Sequence, residues 1–278
     1  MHALGVDVSV SRGLDLVLLD ESEGILDTHR RVPAEKLPEF LEPAPDVVAI
    51  DAPPGWGTNG GSRLTERELR RFGIQSFGTP SESQSASAFY DWMRVGITAF
   101  KKIAGPYPRY RSGRVAGTAI EVFPHATAVV LAQCLPPKGA KKHRWRRDIL
   151  SARGIDGLRS ADQVDAALAA LTGILALRGR FTALGDPLEG VIVVPSRTLP
   201  PKPFRRCVDP GEDDDQPHLP GLAPCGCGDP GCTELTRNEF APGHDAKRKS
   251  ILWQEARTGN EAREELEHRG WELPPEIR

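Results

Sequence analysis

The sequence has no long uninterrupted apolar stretch. Nowhere do about 18 apolar residues follow one another, as a membrane-spanning helix requires, so we expect no membrane span. The opening residues MHALGVDVSV contain neither a basic segment nor a long apolar one, which argues against a signal peptide and predicts a cytoplasmic protein. No G-x-S-x-G motif occurs, so a hydrolase of the serine type is not expected. The formal net charge of -2 neither demands nor excludes a nucleic-acid partner.

Cysteine is scarce, and its distribution is uneven. Of the five cysteines, Cys134 stands alone in an apolar segment and is predicted to be a core residue. The other four lie between Cys207 and Cys232. Disulfides are not expected in a reducing compartment, so clustered thiols favour structural Zn²⁺, which takes four thiolate or imidazole ligands. The candidate zinc ligands are Cys207, Cys225, Cys227 and Cys232, with His244 as an alternative to Cys207.

Composition changes near Pro195. Before it, apolar periodic segments alternate with short loops, and after it the chain is rich in Pro, Gly and charge. Such a segment buries little apolar surface by itself. We therefore predict a first domain over residues 1–198 and a Cys-rich, zinc-binding and helical extension over 199–278.

Apolar periodicity predicts an α/β fold for the first domain. The chain begins with three strands that suggest an antiparallel meander, followed by a helix and a nearly continuous apolar strand. Strands are predicted at 3–9, 14–21, 24–32, 46–51, 117–124 and 188–195, and helices at 34–42, 62–73, 87–103, 125–135, 142–154 and 160–179.

Four carboxylates stand where strands end or a helix begins. The stretch VVAIDAPPGWG (47–57) leads four apolar residues directly into Asp51 and then into a rigid loop. Asp7 lies in the first strand, Glu121 in a later one and Asp165 near the start of the alanine-rich helix. A turn or a cap explains each residue taken singly. Together they can meet beyond the carboxyl ends of strands, where crowded carboxylates favour Mg²⁺ or Mn²⁺.

Residues 3–195 resemble the domain of unknown function 429 family, whose members are described as predicted ribonuclease H-fold nucleases. The matching stretches are GVDVS, AIDAPPGWG with TERELRRFGI, AIEVFPHA, KKHRWRRDIL, DQVDAALAAL and EGVIVVP. The resemblance implies a ribonuclease H-like mixed sheet flanked by helices. It also implies Asp7, Asp51, Glu121 and Asp165 as catalytic, metal-binding carboxylates. The Cys-containing extension departs from the family pattern, which leaves the target of the whole protein open.

Two basic segments flank the strand that carries Glu121. KGAKKHRWRR (138–147) and PYPRYRSGR (106–114) mix Lys and Arg with aromatic residues. Basic groups neutralise phosphates and aromatic rings stack on unpaired bases, although a solvated charged face explains both segments equally well. The candidate nucleic-acid-binding residues are Lys141, Lys142, Arg144, Arg146, Arg109 and Arg111, with Trp145, Tyr107 and Tyr110 as the accompanying aromatics.

The sequence thus predicts a metal-dependent nuclease that hydrolyses phosphodiester bonds with carboxylate-held divalent ions. One alternative is a non-catalytic nucleic-acid-binding protein with a structural zinc site, in which the carboxylates are structural. Another is an actin-like or sugar-kinase-like ATPase. That class needs a Gly- and Thr-rich phosphate loop after the first strand, where this chain has Gly13 and no Thr. The choice between DNA and RNA, and the oligomeric state, stay open.

Overall fold

The computed structural model describes residues 1–58 and 60–207, together with 223–224, 235–236, 252, 256 and 260–268. It divides into two compact units, Met1–Asp209 and Pro210–Arg278. The domain boundary that the sequence predicts between residues 198 and 199 stays a prediction.

The first unit is built on a mixed sheet of seven strands in the spatial order β3-β2-β1-β4-β5-β7-β6. The strands are β1 (His2–Ser9), β2 (Gly13–Asp20), β3 (Ile25–Val32), β4 (Val47–Asp51), β5 (Thr118–Val122), β6 (Thr182–Asp186) and β7 (Gly190–Val194). The central strands β1, β4, β5 and β7 are parallel, whereas β2 and β6 are antiparallel to their central neighbours. The predicted mixed sheet flanked by helices is confirmed.

The helices follow the apolar periodicity of the sequence, with one difference. The α-helices of this unit are α1 (Leu64–Arg71), α2 (Asp91–Ile103), α3 (Pro124–Ala132), α4 (Lys142–Ser151) and α5 (Ala161–Leu177). The segment predicted as a helix at 34–42 forms a 3-10 helix over Ala34–Phe40, because Pro38 inside it cannot donate a backbone hydrogen bond. The sequence also missed β6, a half-exposed strand with little apolar alternation.

Side-chain alternation along β1 and β4 separates two apolar layers. Ala3, Val47 and Ala49 belong to the layer that includes α3, α4 and α5. Leu4, Val6, Val48 and Ile50 belong to the layer that includes α2 and the 3-10 helix. Because side chains alternate between the two faces, the position of a residue in its strand decides which layer it enters.

Helix α5 lies directly on the backbone of β1. A β-carbon added to Gly5 would lie 1.9 Å from the carbonyl oxygen of Ala166 and 2.4 Å from the amide nitrogen of Ala170. No side chain fits in that space. The start of α5 is fixed by Ser160, whose hydroxyl accepts a hydrogen bond from the backbone N–H of Gln163 at 3.1 Å.

The second unit contains short described elements. Strands β8 (Ala223–Pro224) and β9 (Leu235–Thr236) pair antiparallel, and α6 spans Asn260–His268. An apolar cluster comprises Leu252, Ala256, Ala262 and Leu266. In the part of the chain that the structure describes, no helix is long and apolar enough to cross a bilayer.

Candidate active site

Two of the predicted carboxylates lie side by side in the centre of the sheet. Asp7 of β1 and Asp51 of β4 are partners in register on adjacent parallel strands. In-register partners point to the same face, and both residues share the face of Ala3 and Ala49, which α5 covers. Asp7 is only 8% exposed. The sequence therefore folds two carboxylates into direct proximity under a helix.

The first turns of α5 add two more carboxylates to the pair. Asp165 and Asp162 both raise the pKa of Asp7 by charge repulsion, and Asp165 does the same to Asp51. Sequence reasoning predicted Asp165 but missed Asp162. A signal was available, because Asp162 and Asp165 are three residues apart and so lie on the same side of a helix. We call Asp7, Asp51, Asp162 and Asp165 the acidic cluster.

Burial and mutual repulsion raise the pKa values within the acidic cluster. For Asp7 and Asp51 burial is the largest cause and the neighbouring aspartates add to it, so both pKa values lie well above the ordinary value for Asp. Burial, opposed by Arg146 and assisted by Asp162, raises the pKa of Asp165 to about 7. These directions mean that burial and repulsion together disfavour the ionised form of these carboxylates.

Arg146 of α4 supplies positive charge to this cluster. Its Nη2 lies 3.1 Å from Oδ2 of Asp165, with both side chains about 15% exposed (16% and 15%). It also lowers the pKa of Asp51, against the effect of burial. Oδ1 of Asp165 is buried and accepts no hydrogen bond from any described residue, and Nε of Arg146 is likewise buried without a partner there. Arg146 thus compensates the cluster incompletely and leaves one carboxylate oxygen without a donor.

No metal-binding arrangement is complete as the side chains stand. Within residues 1–58 and 60–207 and the described parts of the second unit, no three His, Cys, Asp or Glu side chains form a group that could hold an ion. The donor set is nevertheless of the kind that a hard divalent cation prefers, because it consists of carboxylate oxygens on three different elements. Oδ1 of Asp165, which accepts no hydrogen bond, could bind such a cation. Oδ2 is paired with Arg146, and this ion pair would compete with metal binding by Oδ2.

Glu121 points to the opposite face of the sheet from the acidic cluster, although its charge still raises the pKa of Asp51. Its in-register neighbour on β4 is Ile50 rather than Asp51, so it points into the layer of α2. Arg63 donates to both of its oxygens, at 2.9 Å from Nη1 and 2.5 Å from Nη2. The structure thus differs from the expectation that Glu121 is a free carboxylate beside Asp51, and the register of β5 against β4 is the reason.

Arg63 joins Glu121 to a second buried carboxylate. Its Nε donates to Oε1 of Glu66 at 2.9 Å, and the hydroxyl of Thr79 donates to the same oxygen at 2.6 Å. All four residues are at most 5% exposed. We call Arg63, Glu66, Thr79 and Glu121 the buried ionic network. Sequence reasoning missed it, because its members come from α1, β5 and a loop.

A cavity of about 300 Å³ is lined by Asp51 of the acidic cluster and by all members of the buried ionic network. Asp51 and Glu121 both line it, each from its own strand end. The cavity is also lined by Ser76, Phe77, Trp92 and Phe123. The cavity therefore lies beyond the carboxyl ends of β4 and β5, where open α/β sheets bind their ligands.

The predicted nucleic-acid-binding residues fall into two groups. Lys141, Lys142, Arg144 and Arg111 are exposed, whereas Arg146 faces the acidic cluster and Arg109 is half-buried. Arg109 donates to the carbonyl oxygens of Pro187 and Leu188, at 3.0 and 2.9 Å. Exposed cations on α4 can therefore contact phosphates, and Arg109 is engaged within the protein.

The aromatic residues of the two basic segments do not face solvent. Trp145 is 8% exposed, and its ring packs edge-on against that of His125 with centroids 6.1 Å apart. Tyr107 and Tyr110 are each 6% exposed, and their hydroxyls donate to the carbonyl oxygens of Pro45 and Gly113. Stacking of bases on these three rings, which the sequence suggested, is therefore not available in the structure.

The cysteines also differ from the sequence expectation. Cys134 and Cys207 form a disulfide across 73 residues. A sulfur in a disulfide does not ligate zinc, so Cys207 is unavailable as a ligand in this structure. Cys225, Cys227, Cys232 and His244 lie outside the described residues, and a zinc site made from them stays a prediction. The pairing of Cys134 was missed because a reducing compartment was assumed.

The fold and the site define an α/β protein with a carboxylate cluster under the first turns of a helix. A family model described as protein of unknown function (DUF429) matches residues 5–189, and the chain belongs to this family. A search of curated proteins found no match. Among solved structures, that of Thermus thermophilus RuvC is 18% identical and covers 64% of this chain and 97% of its own, with a TM-score of 0.36.

Proposed function

We propose that this protein is a metal-dependent nuclease that hydrolyses phosphodiester bonds in nucleic acid. The observation that supports this proposal best is the acidic cluster, in which Asp7, Asp51 and Asp165 come together from β1, β4 and α5. Burial, reinforced by repulsion between carboxylates, raises the pKa values of Asp7 and Asp51, and burial also raises that of Asp165. A divalent cation favours the ionised form of such buried, crowded carboxylates.

The residues that would hold the ion are Asp7, Asp51 and Asp165, with Asp162 beside them. Oxygen ligands favour Mg²⁺ or Mn²⁺. Such an ion, when bound, lowers the pKa of a bound water and neutralises charge on the leaving oxygen. Asp7 and Asp51 are fixed by strand backbone, so their carboxylates are positioned before any substrate arrives.

Other residues of the chain would support this chemistry without touching the ion. Arg146 lies against Asp165. If Asp165 instead bound a divalent ion, the guanidinium of Arg146 would be available to bind the scissile phosphate. Lys141, Lys142 and Arg144 are exposed on or beside α4 and would bind neighbouring phosphates. Glu121 would not act as a ligand, because Arg63 occupies both of its oxygens.

The test is cleavage of a labelled panel of nucleic acids by the full chain. The panel comprises single- and double-stranded DNA, RNA, a DNA–RNA hybrid and a four-way junction, each with Mg²⁺, with Mn²⁺ and with EDTA. We expect cleavage of at least one substrate with either metal and none with EDTA. Asp51→Asn should lose cleavage, because it removes a carboxylate while keeping the shape of the side chain.

The matched control is Asp27→Asn, which changes an aspartate on the exposed strand β3, 57% exposed and far along the sheet from β4. This variant should cleave like the native protein. Native binding without cleavage in any metal would refute the nuclease proposal and favour the non-catalytic binding protein. Equal cleavage by native protein and Asp51→Asn would refute the assignment of the acidic cluster.

A further inference from the structure

An exposed group of aromatic rings stands at the cavity. Phe77 is 64% exposed and Phe89 is 53% exposed, and their rings meet edge-to-face with centroids 5.4 Å apart. The ring of Phe77 also packs edge-to-face on that of Trp92, with centroids 6.4 Å apart. The rings of Phe89 and Tyr90 do the same, with centroids 5.1 Å apart. Large aromatic rings gathered on a surface in this way mark a binding site more often than a structural need. We call Phe77, Phe89, Tyr90 and Trp92 the aromatic rim.

The aromatic rim continues into the wall of the cavity. Phe77 and Trp92 line it, together with Phe123 from the end of β5. Ser76 also lines it, and the hydroxyl oxygen of Ser76 is buried with no hydrogen-bond partner in residues 1–58 and 60–207. Flat apolar walls with an unused hydrogen-bonding group suit a planar, polar-edged ring.

The size of the cavity limits what can enter. Its volume of about 300 Å³ is at the lower end of ligand pockets, which run from about 300 to 1,000 Å³. One ring system fits such a space, whereas a paired duplex does not. The wall also carries the carboxylates of Asp51, Glu66 and Glu121 against the guanidinium of Arg63, and this excess of acidic groups disfavours a phosphate inside the cavity.

Asp51 belongs to both sites. It is a member of the acidic cluster and also part of the cavity wall. Arg146 lies against the acidic cluster, and Phe77 and Trp92 of the aromatic rim line the cavity. A nucleotide with its base in the cavity therefore has its phosphate close to the acidic cluster.

We propose that the cavity receives one unpaired base of the substrate, stacked on Phe77, so that the substrate class is single-stranded or locally unpaired nucleic acid. This inference rests on the proposed function for the role of the bound strand. Stacking accounts for the exposed aromatic rim, and the base edge accounts for the unused hydroxyl of Ser76. Duplex substrates would have to give up a base pair before they could bind.

The test measures binding without catalysis. A single-stranded oligonucleotide with one 2-aminopurine is titrated with the full chain in EDTA at low ionic strength, and fluorescence reports stacking of that base. We expect quenching for the native protein and at least about tenfold weaker binding of the matching duplex. Phe77→Ala should weaken single-strand binding about 10-fold or more, since it removes the ring on which the base stacks. Phe77→Trp should retain binding and quenching.

Leu26→Ala is the matched control, because Leu26 is an apolar residue of β3, 49% exposed and outside the cavity. It should bind like the native protein. Equal affinity of native protein and Phe77→Ala, or equal affinity for single strand and duplex, would overturn the base-binding proposal even if cleavage is observed. Phe77-dependent binding together with absent cleavage in Mg²⁺ and Mn²⁺ would uphold the cavity and refute the nuclease.

Discussion

Substitution of Arg63 tests whether the buried ionic network stabilises the wall of the cavity. Its side chain is 1% exposed, and three of its N–H groups donate to Glu66 and Glu121. Arg63→Met keeps much of the volume but leaves two buried carboxylates without their cation. Removing one partner of a buried ion pair costs about 3–5 kcal/mol. Because two carboxylates lose the same partner, we expect the free energy of unfolding near pH 8 to fall by about 5 kcal/mol.

The loss should shrink in acid. Burial raises the pKa of Glu121 above its ordinary value, and Arg63 opposes that rise. Without Arg63 the folded protein holds a proton on Glu121 at pH values where the unfolded chain has released it. The stability of the variant therefore falls as pH rises from the ordinary glutamate pKa through the raised one. The slope reaches at most about 1.4 kcal/mol per pH unit for one group.

Urea unfolding followed by tryptophan fluorescence, repeated from mildly acidic to mildly alkaline pH, measures both effects. The control is Arg153→Met. Arg153 also makes two hydrogen bonds to one carboxylate, that of Glu23, but Glu23 keeps a second cation in Arg178. We expect the control to lose about 1 kcal/mol or less with little pH dependence. Equal losses in the two variants, or a flat pH profile for Arg63→Met, would refute this account of the buried ionic network.

Two further predictions concern the framework. Gly5→Ala should lower the free energy of unfolding by more than about 4 kcal/mol or prevent folding, because its β-carbon would overlap the backbone of α5. The control is Gly55→Ala, which should change thermal stability little because a β-carbon there meets nothing within 4 Å. Similar melting temperatures for the two variants would contradict the packing described. Cys134→Ser should lose about 2–4 kcal/mol and no longer respond to reductant, because the disulfide to Cys207 closes a long loop. A native protein whose unfolding curve is unchanged by reductant would show that this bond is absent.

The parts of the site that were predictable are those on strongly periodic segments. The apolar run before Asp51 and the alanine-rich helix that carries Asp165 identify their elements almost without reference to the rest of the chain. Asp7 follows from the same reasoning. Strand ends and helix starts are local properties, so a sequence reveals which carboxylates are available to meet.

Glu121 shows where this reasoning stops. Whether it faces α5 or α2 depends on its pairing with Ile50, and that register is set by distant contacts. The aromatic rim was missed for a similar reason, because Phe77 and Trp92 are separated by a polar loop and come together only at the cavity. Asp162 is different, since its spacing from Asp165 was visible in the sequence.

The close approach of α5 to β1 has a consequence for how this protein can change. Since main chain rests on main chain at Gly5, the separation of the aspartates on the two elements does not depend on the size of any intervening side chain. Substitutions among the side chains of the other apolar layer therefore need not alter the geometry of the acidic cluster at this contact. The helix–strand pair would act as the invariant part, and redesign of the protein should leave it untouched.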